Sequence, residues 1–245
     1  MKTVAARYGL TIGTLHTHIG SGTDPEVWKR AMRMTLDLVA QFPDVAAVNL
    51  GGGFKVGRMP EEPSVDMDEV AAHVRGELEA FRQRDGRALR LEIEPGTYLV
   101  AQAGAVVATC VDVVDTGRDG YVFAKLDTGM PEVARPAMYG AQHPIDVLAA
   151  DRPTADVVFV GPCCESGDIL TPAPGYPEAL APRRVPQPQI GDLVVIGGAG
   201  AYCAAMSTIN YNSYPQAPEI MLEPDGALRL LRRRQALGQV WANEV

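Results

Sequence analysis

The sequence predicts an α/β region followed by a mostly antiparallel β domain, dividing the 245 residues into 1–97 and 98–245. Three observations carry this reading. Before Pro95, short apolar runs lead into helical periodicity and some end in glycine-rich turns, the pattern of parallel strands joined by right-handed crossovers. After Tyr98 the apolar runs have strand length and are separated by turn residues rather than helices. Between the two regions lies Leu91 to Ala101, where apolar and acidic residues alternate up to Glu94 before Pro95-Gly96 breaks the strand and turns the backbone. That turn points Glu94 into the seam between two architectures; on this stretch alone a solvated acidic turn explains it equally well.

In chain order, Thr11 to Ile19 reads as a buried strand running into Gly20-Ser21-Gly22. Asp24 or Thr23 caps the next helix with Pro25 in its first turn, and Val27, Met34, Leu38 and Val39 mark its periodicity. Pro43 ends it, and Val45 to Leu50 forms a strand closing on Gly51-Gly52-Gly53. After a polar loop from Lys55 to Ser64, a helix from Met67 to Arg84 places Val70, Val74, Leu78 and Phe81 on one face. The strand ending in Glu94 follows. Three parallel strands cannot close a barrel that needs eight, so these read as the last three strand-helix units of a (β/α)8 barrel, whose chemistry collects on loops after the strand ends. A small open sheet with glycine turns is the plain alternative. Further on, Val106–Val114, Tyr121–Leu126, Val157–Val160 and Leu193–Ile196 read as strands. Ile220–Leu222 and Ala227–Leu231 form a hairpin around Asp225-Gly226. Thr171 to Pro188 is a proline-rich loop, long enough to be functional or poorly ordered.

A net charge of −8 argues against a nucleic-acid surface, and Arg232-Arg233-Arg234 reads as a solvated or salt-bridged face. No apolar run is long enough to span a bilayer and Met1 to Leu10 lacks the apolar region of a signal peptide, so no membrane partner and a cytoplasmic location are expected. Cys110, Cys163, Cys164 and Cys203 show no metal-ligand spacing, and two are adjacent, so neither a metal site nor a disulfide scaffold is expected.

The chemistry-bearing residues cluster at strand ends. His16-Thr17-His18 followed by Gly20-Ser21 could stack an imidazole on an aromatic ring and hold an anion, although a satisfied core histidine explains His18 alone better. Gly51-Gly52-Gly53 could bring backbone N–H groups close to a phosphate, or be a tight turn. Glu94 could pair with a ring nitrogen and keep a pyridinium protonated. Arg135 of Arg-Pro-Ala-Met-Tyr-Gly, in a polar cluster with Tyr139 and His143, could clamp a carboxylate. Gly161-Pro162-Cys163-Cys164-Glu165-Ser166-Gly167-Asp168 sets thiols beside two acids that could bind an amine. Tyr202 stands at the end of another strand, and His73 is given no role.

In order and spacing these motifs closely resemble the diaminopimelate decarboxylase family of fold-type III pyridoxal-phosphate enzymes, from His16 to about Gln235. The Cys-Glu-Ser-Gly-Asp and Arg-Pro-Ala-Met-Tyr-Gly segments are the most specific. The resemblance implies that residues 1–97 are part of a pyridoxal 5'-phosphate-binding barrel. His18 would stack on the cofactor, and Ser21, Gly51, Gly52, Gly53 and Gly96 would hold its phosphate. Glu94 would meet the ring nitrogen and Tyr202 the cofactor. Arg135, Tyr139 and Glu165 would contact an amino-acid substrate, and Cys164 would return a proton after carbon dioxide leaves. It implies decarboxylation of a diamino acid, meso-diaminopimelate to L-lysine by default, in a homodimer whose Cys-box loop comes from the other subunit. Three departures stand out. Thr97 replaces the arginine of Glu-Pro-Gly-Arg, Cys203 replaces a glycine, and Tyr214 replaces an arginine. The half of the barrel that carries the cofactor-binding lysine has no counterpart, and Lys2, Lys29, Lys55 and Lys125 match no such motif. A fragment, a split half or a degraded copy would each account for that. Alternatives are a D-lysine or D-ornithine decarboxylase on the same scaffold, or a non-catalytic chain that binds a full-length paralogue.

Overall fold

A computed structural model describes residues 1–20 and 24–245 and divides into two compact units, Met1–Val100 and Ala101–Val245. In the first unit, α1 (Lys2–Tyr8) precedes three parallel strands: β1 (Thr14–His16), β2 (Ala47–Asn49) and β3 (Arg90–Glu92). Their order is β1-β2-β3, with Thr14 opposite Ala47 and Ala47 opposite Arg90. Helices α2 (Pro25–Val39) and α3 (Met67–Asp85) are the connections.

Each helix starts where the sequence offers a cap. The Asp24 carboxylate accepts from Glu26 N–H at 2.9 Å with Pro25 in the first turn, and the Asp66 carboxylate accepts from the N–H groups of Asp68 and Glu69. On α3 the predicted face holds: Val70, Val74 and Phe81 are buried and Leu78 packs beside them. The face predicted for α2 is wrong for three of its four residues. Val27, Met34 and Leu38 are exposed, and Trp28, Met32, Leu36 and Val39 are buried instead. The helix carries apolar residues on both faces, so periodicity alone cannot say which one faces the sheet. The Arg87 guanidinium closes the turn after α2 by donating to the carbonyls of Val39, Phe42, Pro43 and Val45. Helix ends leave such carbonyls without intrahelical partners.

The strands are shorter than predicted. Of Thr11–Ile19 only Thr14–His16 is strand, and β3 ends at Glu92 rather than Glu94. Pairing stops because β2, the central strand, gives way to glycine at residue 51, although Glu94 N–H still donates to the Gly51 carbonyl at 2.8 Å.

The second unit is built on a six-stranded mixed sheet. Its strands are β4 (Val106–Asp115), β5 (Val122–Leu126), β6 (Ile145–Val147), β7 (Thr154–Val160), β10 (Arg183–Pro186) and β11 (Leu193–Ile196), in the order β10-β7-β5-β4-β11-β6. All neighbouring pairs are antiparallel except β5 with β7. Its core gathers Leu126, Val157, Phe159, Leu170, Val194 and Ile196. Two short hairpins complete it: β8 (Pro172–Ala173) with β9 (Tyr176–Leu180), and β12 (Glu219–Leu222) with β13 (Leu228–Arg232). The predicted loop from Thr171 to Pro188 therefore contains β8, β9 and β10, because its prolines sit at strand ends and edges that need no ladder donor. Helical turns also interrupt the expected all-strand region: α4 (Gly96–Val100) closes the first unit, a 3-10 turn spans Ala101–Ala103, and α5 (Arg135–Tyr139) lies beyond β5. No helix among the described residues is long and apolar enough to cross a membrane.

Candidate active site

In the first unit, all the chemistry predicted for the described residues converges at the C-terminal ends of β1, β2 and β3. Asn49, the last residue of β2, organises it. Its Oδ1 accepts from Gly51 N–H at 2.8 Å and its Nδ2 donates to Glu94 Oε1 at 2.9 Å. The other oxygen of Glu94 lies 3.5 Å from His16 Nε2. His18 Nδ1 accepts from Gly52 N–H at 3.2 Å, which fixes the ring and leaves Nε2 to carry the proton of the neutral form. Gly51 cannot be another residue here: its φ is +63° and a Cβ would meet His18 Nδ1 at 2.7 Å.

The glycine triplet behaves differently from the sequence reading. Gly51 and Gly52 already donate to Asn49 and His18, so only Gly53 has an N–H with no partner among the described residues. What the glycines supply is close approach rather than three free donors. Ser21 lies outside the described residues. Gly96 starts α4, directly after Glu94 and Pro95. These residues fit pyridoxal 5'-phosphate in chemistry. Glu94 is half-exposed and offers an acceptor for a protonated ring nitrogen, His18 offers a fixed ring face, and the turn has no side chains in the way.

The second unit gathers the rest. On α5 the Arg135 guanidinium lies 5.8 Å from the Tyr139 ring centroid, and the Tyr139 hydroxyl donates to Met206 Sδ at 3.9 Å. Ala137 of the same helix and Glu165 line one groove of about 670 Å³ with Met130, Gly167, Tyr176 and Glu178. Glu165 accepts from Gly167 N–H at 3.2 Å and from the Tyr211 hydroxyl at 3.2 Å, and these donors hold its carboxyl below the ordinary range.

The two adjacent cysteines differ. Cys164 is exposed and its N–H donates to Asn212 Oδ1 at 2.8 Å. Cys163 is half-buried, and burial together with the neighbouring Asp168 carboxylate pushes its thiol up to about 12. Asp168 itself does not bind an amine as the sequence reading allowed. It is buried, and its carboxylate accepts from the N–H groups of Met130 and Cys163 while pressing against Gly129 and Gly161. It shapes the loop. His143 is also buried, with Nδ1 2.9 Å from the Gly197 carbonyl. Tyr202 is half-exposed with φ +55°. Sequence reasoning missed Asn49 and gave Asn212, beside Tyr211, no role of its own. An amide two residues before a glycine turn is a recognisable signal for Asn49, since such side chains bond the backbone two residues on. Nothing local marks Asn212, whose partner is 48 residues away.

Comparison with known proteins bears on these motifs. Residues 38–200 match a family model described as pyridoxal-dependent decarboxylase, C-terminal sheet domain. The diaminopimelate decarboxylase of Escherichia coli K12 is 36% identical over 249 residues, covering 99% of this chain and 58% of that protein. That of Streptomyces coelicolor is 40% identical over 249 residues, with 98% and 54% covered. A crystal structure of diaminopimelate decarboxylase superposes with a TM-score of 0.89 at 36% identity, covering 99% of this chain and 58% of that one. One from Helicobacter pylori complexed with L-lysine gives 0.79 at 29% identity, covering 96% and 55%. The chain thus spans a little over half of the relatives it matches.

Proposed function

The chain belongs to the pyridoxal-dependent decarboxylase family, and from that premise we propose that it supplies the C-terminal part of a diaminopimelate decarboxylase. Its first unit would serve as the last three strand-helix units of a (β/α)8 barrel, and its second as the β domain. The observation that carries the reading is the Asn49–Glu94 pair beside His18 and the glycine turn, all at one end of the parallel strands. Pyridoxal 5'-phosphate, when bound, supplies an electron sink for the pair left behind by the departing carboxylate. Glu94 holds the ring nitrogen protonated, with its orientation set by Asn49 and His16. His18 would stack on the ring, and Gly53 and Gly96 would hold the phosphate. By the family resemblance, Tyr202 and Ser21 would also contact the cofactor.

In the second unit Arg135 and Tyr139 bind substrate carboxylate and Glu165, kept anionic by its donors, binds a substrate ammonium. Cys164 holds the proton that returns to carbon. Cys163 is the poorer donor, because burial and the Asp168 carboxylate push its thiol up to about 12 and make it a weak acid. The working assembly is a homodimer in which the Cys164 loop completes the site of the other copy. None of the four lysines lies in a motif that matches the family's cofactor-binding lysine. Lys29 Nζ, for one, is held by Glu26 and Glu69 at 2.7 and 2.5 Å. The chain by itself therefore binds cofactor without turnover. Spectroscopic titration with pyridoxal 5'-phosphate tests this, followed by borohydride reduction and peptide mapping. Saturable binding weakened by Glu94→Ala is expected. A stoichiometric lysine adduct accompanied by decarboxylation, or no binding at all, would overturn it.

A further inference from the structure

One short loop of the second unit holds three consecutive features of the Cys-Glu segment. The Tyr214 hydroxyl donates to the Pro162 carbonyl at 3.0 Å, Asn212 Oδ1 accepts from Cys164 N–H at 2.8 Å, and the Tyr211 hydroxyl donates to Glu165 Oε2 at 3.2 Å. The loop is itself anchored at its base, where Asn210 Nδ2 donates to the Tyr214 carbonyl at 3.0 Å and to Gln235 Oε1 at 2.6 Å. Gln235 Oε1 also accepts from Gln216 N–H at 2.9 Å.

The loop holds this shape against its backbone preference. Asn210, Asn212 and Ser213 have φ of +63°, +50° and +64°, and Tyr202 is the one other described non-glycine residue with positive φ. Asparagine tolerates the left-handed region, serine less so, and such conformations persist where the surroundings over-determine them. Here the surroundings are the three bonds to residues 162–165 and the Asn210–Gln235 anchor at the base. A loop built only to connect β11 to β12 would have no reason to be aimed at the one segment that bears both an exposed thiol and an anionic carboxylate.

We propose that Tyr211, Asn212 and Tyr214 are positioning residues that set the backbone of Cys164 and the direction of the Glu165 carboxylate. This rests on the functional reading in which Cys164 and Glu165 act in the site. It also accounts for Tyr214, whose hydroxyl is engaged with the Pro162 carbonyl, so that the residue acts on the loop presenting the substrate-binding carboxylate. Tyr211 acts through charge. Its hydroxyl, pushed up by the same bond, remains a donor and helps keep Glu165 ionised for a cationic partner.

The test uses the full chain in amide-exchange and carboxylate-titration NMR. Asn212→Gly keeps the left-handed backbone but removes the acceptor, so the Cys164 amide is expected to exchange about tenfold faster, the worth of one ordinary hydrogen bond. Asn212→Asp keeps the acceptor and restores protection. Tyr211→Phe is expected to move the titration of Glu165 to higher pH, a shift that loss of a purely structural contact would not produce. An unaltered Cys164 exchange rate in Asn212→Gly, or an unaltered Glu165 titration in Tyr211→Phe, overturns the proposal. Neither measurement requires cofactor or turnover, so failure to bind pyridoxal 5'-phosphate would count against the functional reading and leave these outcomes intact.

Discussion

Replacing Asn49 separates the two roles its amide performs. Asn49→Leu removes both the bond to Gly51 N–H and the bond to the Glu94 carboxylate. A neutral bond contributes about 0.5–1.5 kcal/mol and one to a charged group about 1.5–3 kcal/mol. Glu94 is half-exposed, so the second figure belongs at its lower end, and the expected loss is roughly 2 kcal/mol. Asn49→Asp keeps an acceptor for Gly51 N–H but sets a carboxylate against Glu94 Oε1, where Asn49 Nδ2 now sits 2.9 Å away. Two unit charges at about 3 Å repel by somewhat over 1 kcal/mol even in bulk water, and by several times that near a protein surface. The repelling pair binds a proton more tightly folded than unfolded, so the Asp variant loses stability as pH rises through the carboxylate range and regains it as pH falls. The Leu variant adds no second carboxylate and lacks that repulsion. Urea unfolding of the full chain at pH 4.5 and pH 7.5 reads both, and pyridoxal 5'-phosphate titration at neutral pH should weaken in both variants. If the Asp and Leu variants lose equal stability at both pH values, or if Leu is neutral, Asn49 is not the clamp described.

Three other outcomes follow from the same geometry. Iodoacetamide at pH 8 should label Cys164 at least tenfold faster than Cys163, whose thiol is pushed up to about 12; equal labelling in peptide maps would contradict the assignment. Glu132 is raised by burial, with the Thr128 hydroxyl only partly offsetting it, so folding stability should fall as pH rises between the ordinary and the raised value. Glu132→Gln should flatten that slope in urea midpoints taken from pH 4 to pH 8. In an enzyme completed with the remainder of the barrel, Thr97→Arg should raise kcat/KM for meso-diaminopimelate relative to D-lysine and D-ornithine. A charge-assisted bond supports a ten- to hundredfold change, about 1.5–3 kcal/mol. An unchanged ratio would show that another cation already meets the distal carboxylate.

The sequence by itself determined the strand-helix order from β1 to β3, the helix cap at Asp24, the apolar face of α3 and the family to which the motifs belong. These are legible because they depend on neighbours a few residues apart: a cap bonds the next turn, and helical burial repeats every three to four residues. It also placed Glu94 and the glycine turn together, since each stands just after its strand, near the C-terminal end. Tertiary structure decided the rest. Which face of α2 is buried depended on the sheet it meets, so Trp28 and Met32 took the interior that Val27 and Met34 were predicted to hold. Asp168 and Glu165 are indistinguishable acids in sequence. One is buried by two backbone donors and two close glycines, and the other is left in the groove as an anion. The grip of Tyr211, Asn212 and Tyr214 on residues 162–165 spans about fifty positions of chain. No local pattern encodes a contact of that range, because it forms only after β7 and β11 have brought the two loops to the same side of the sheet.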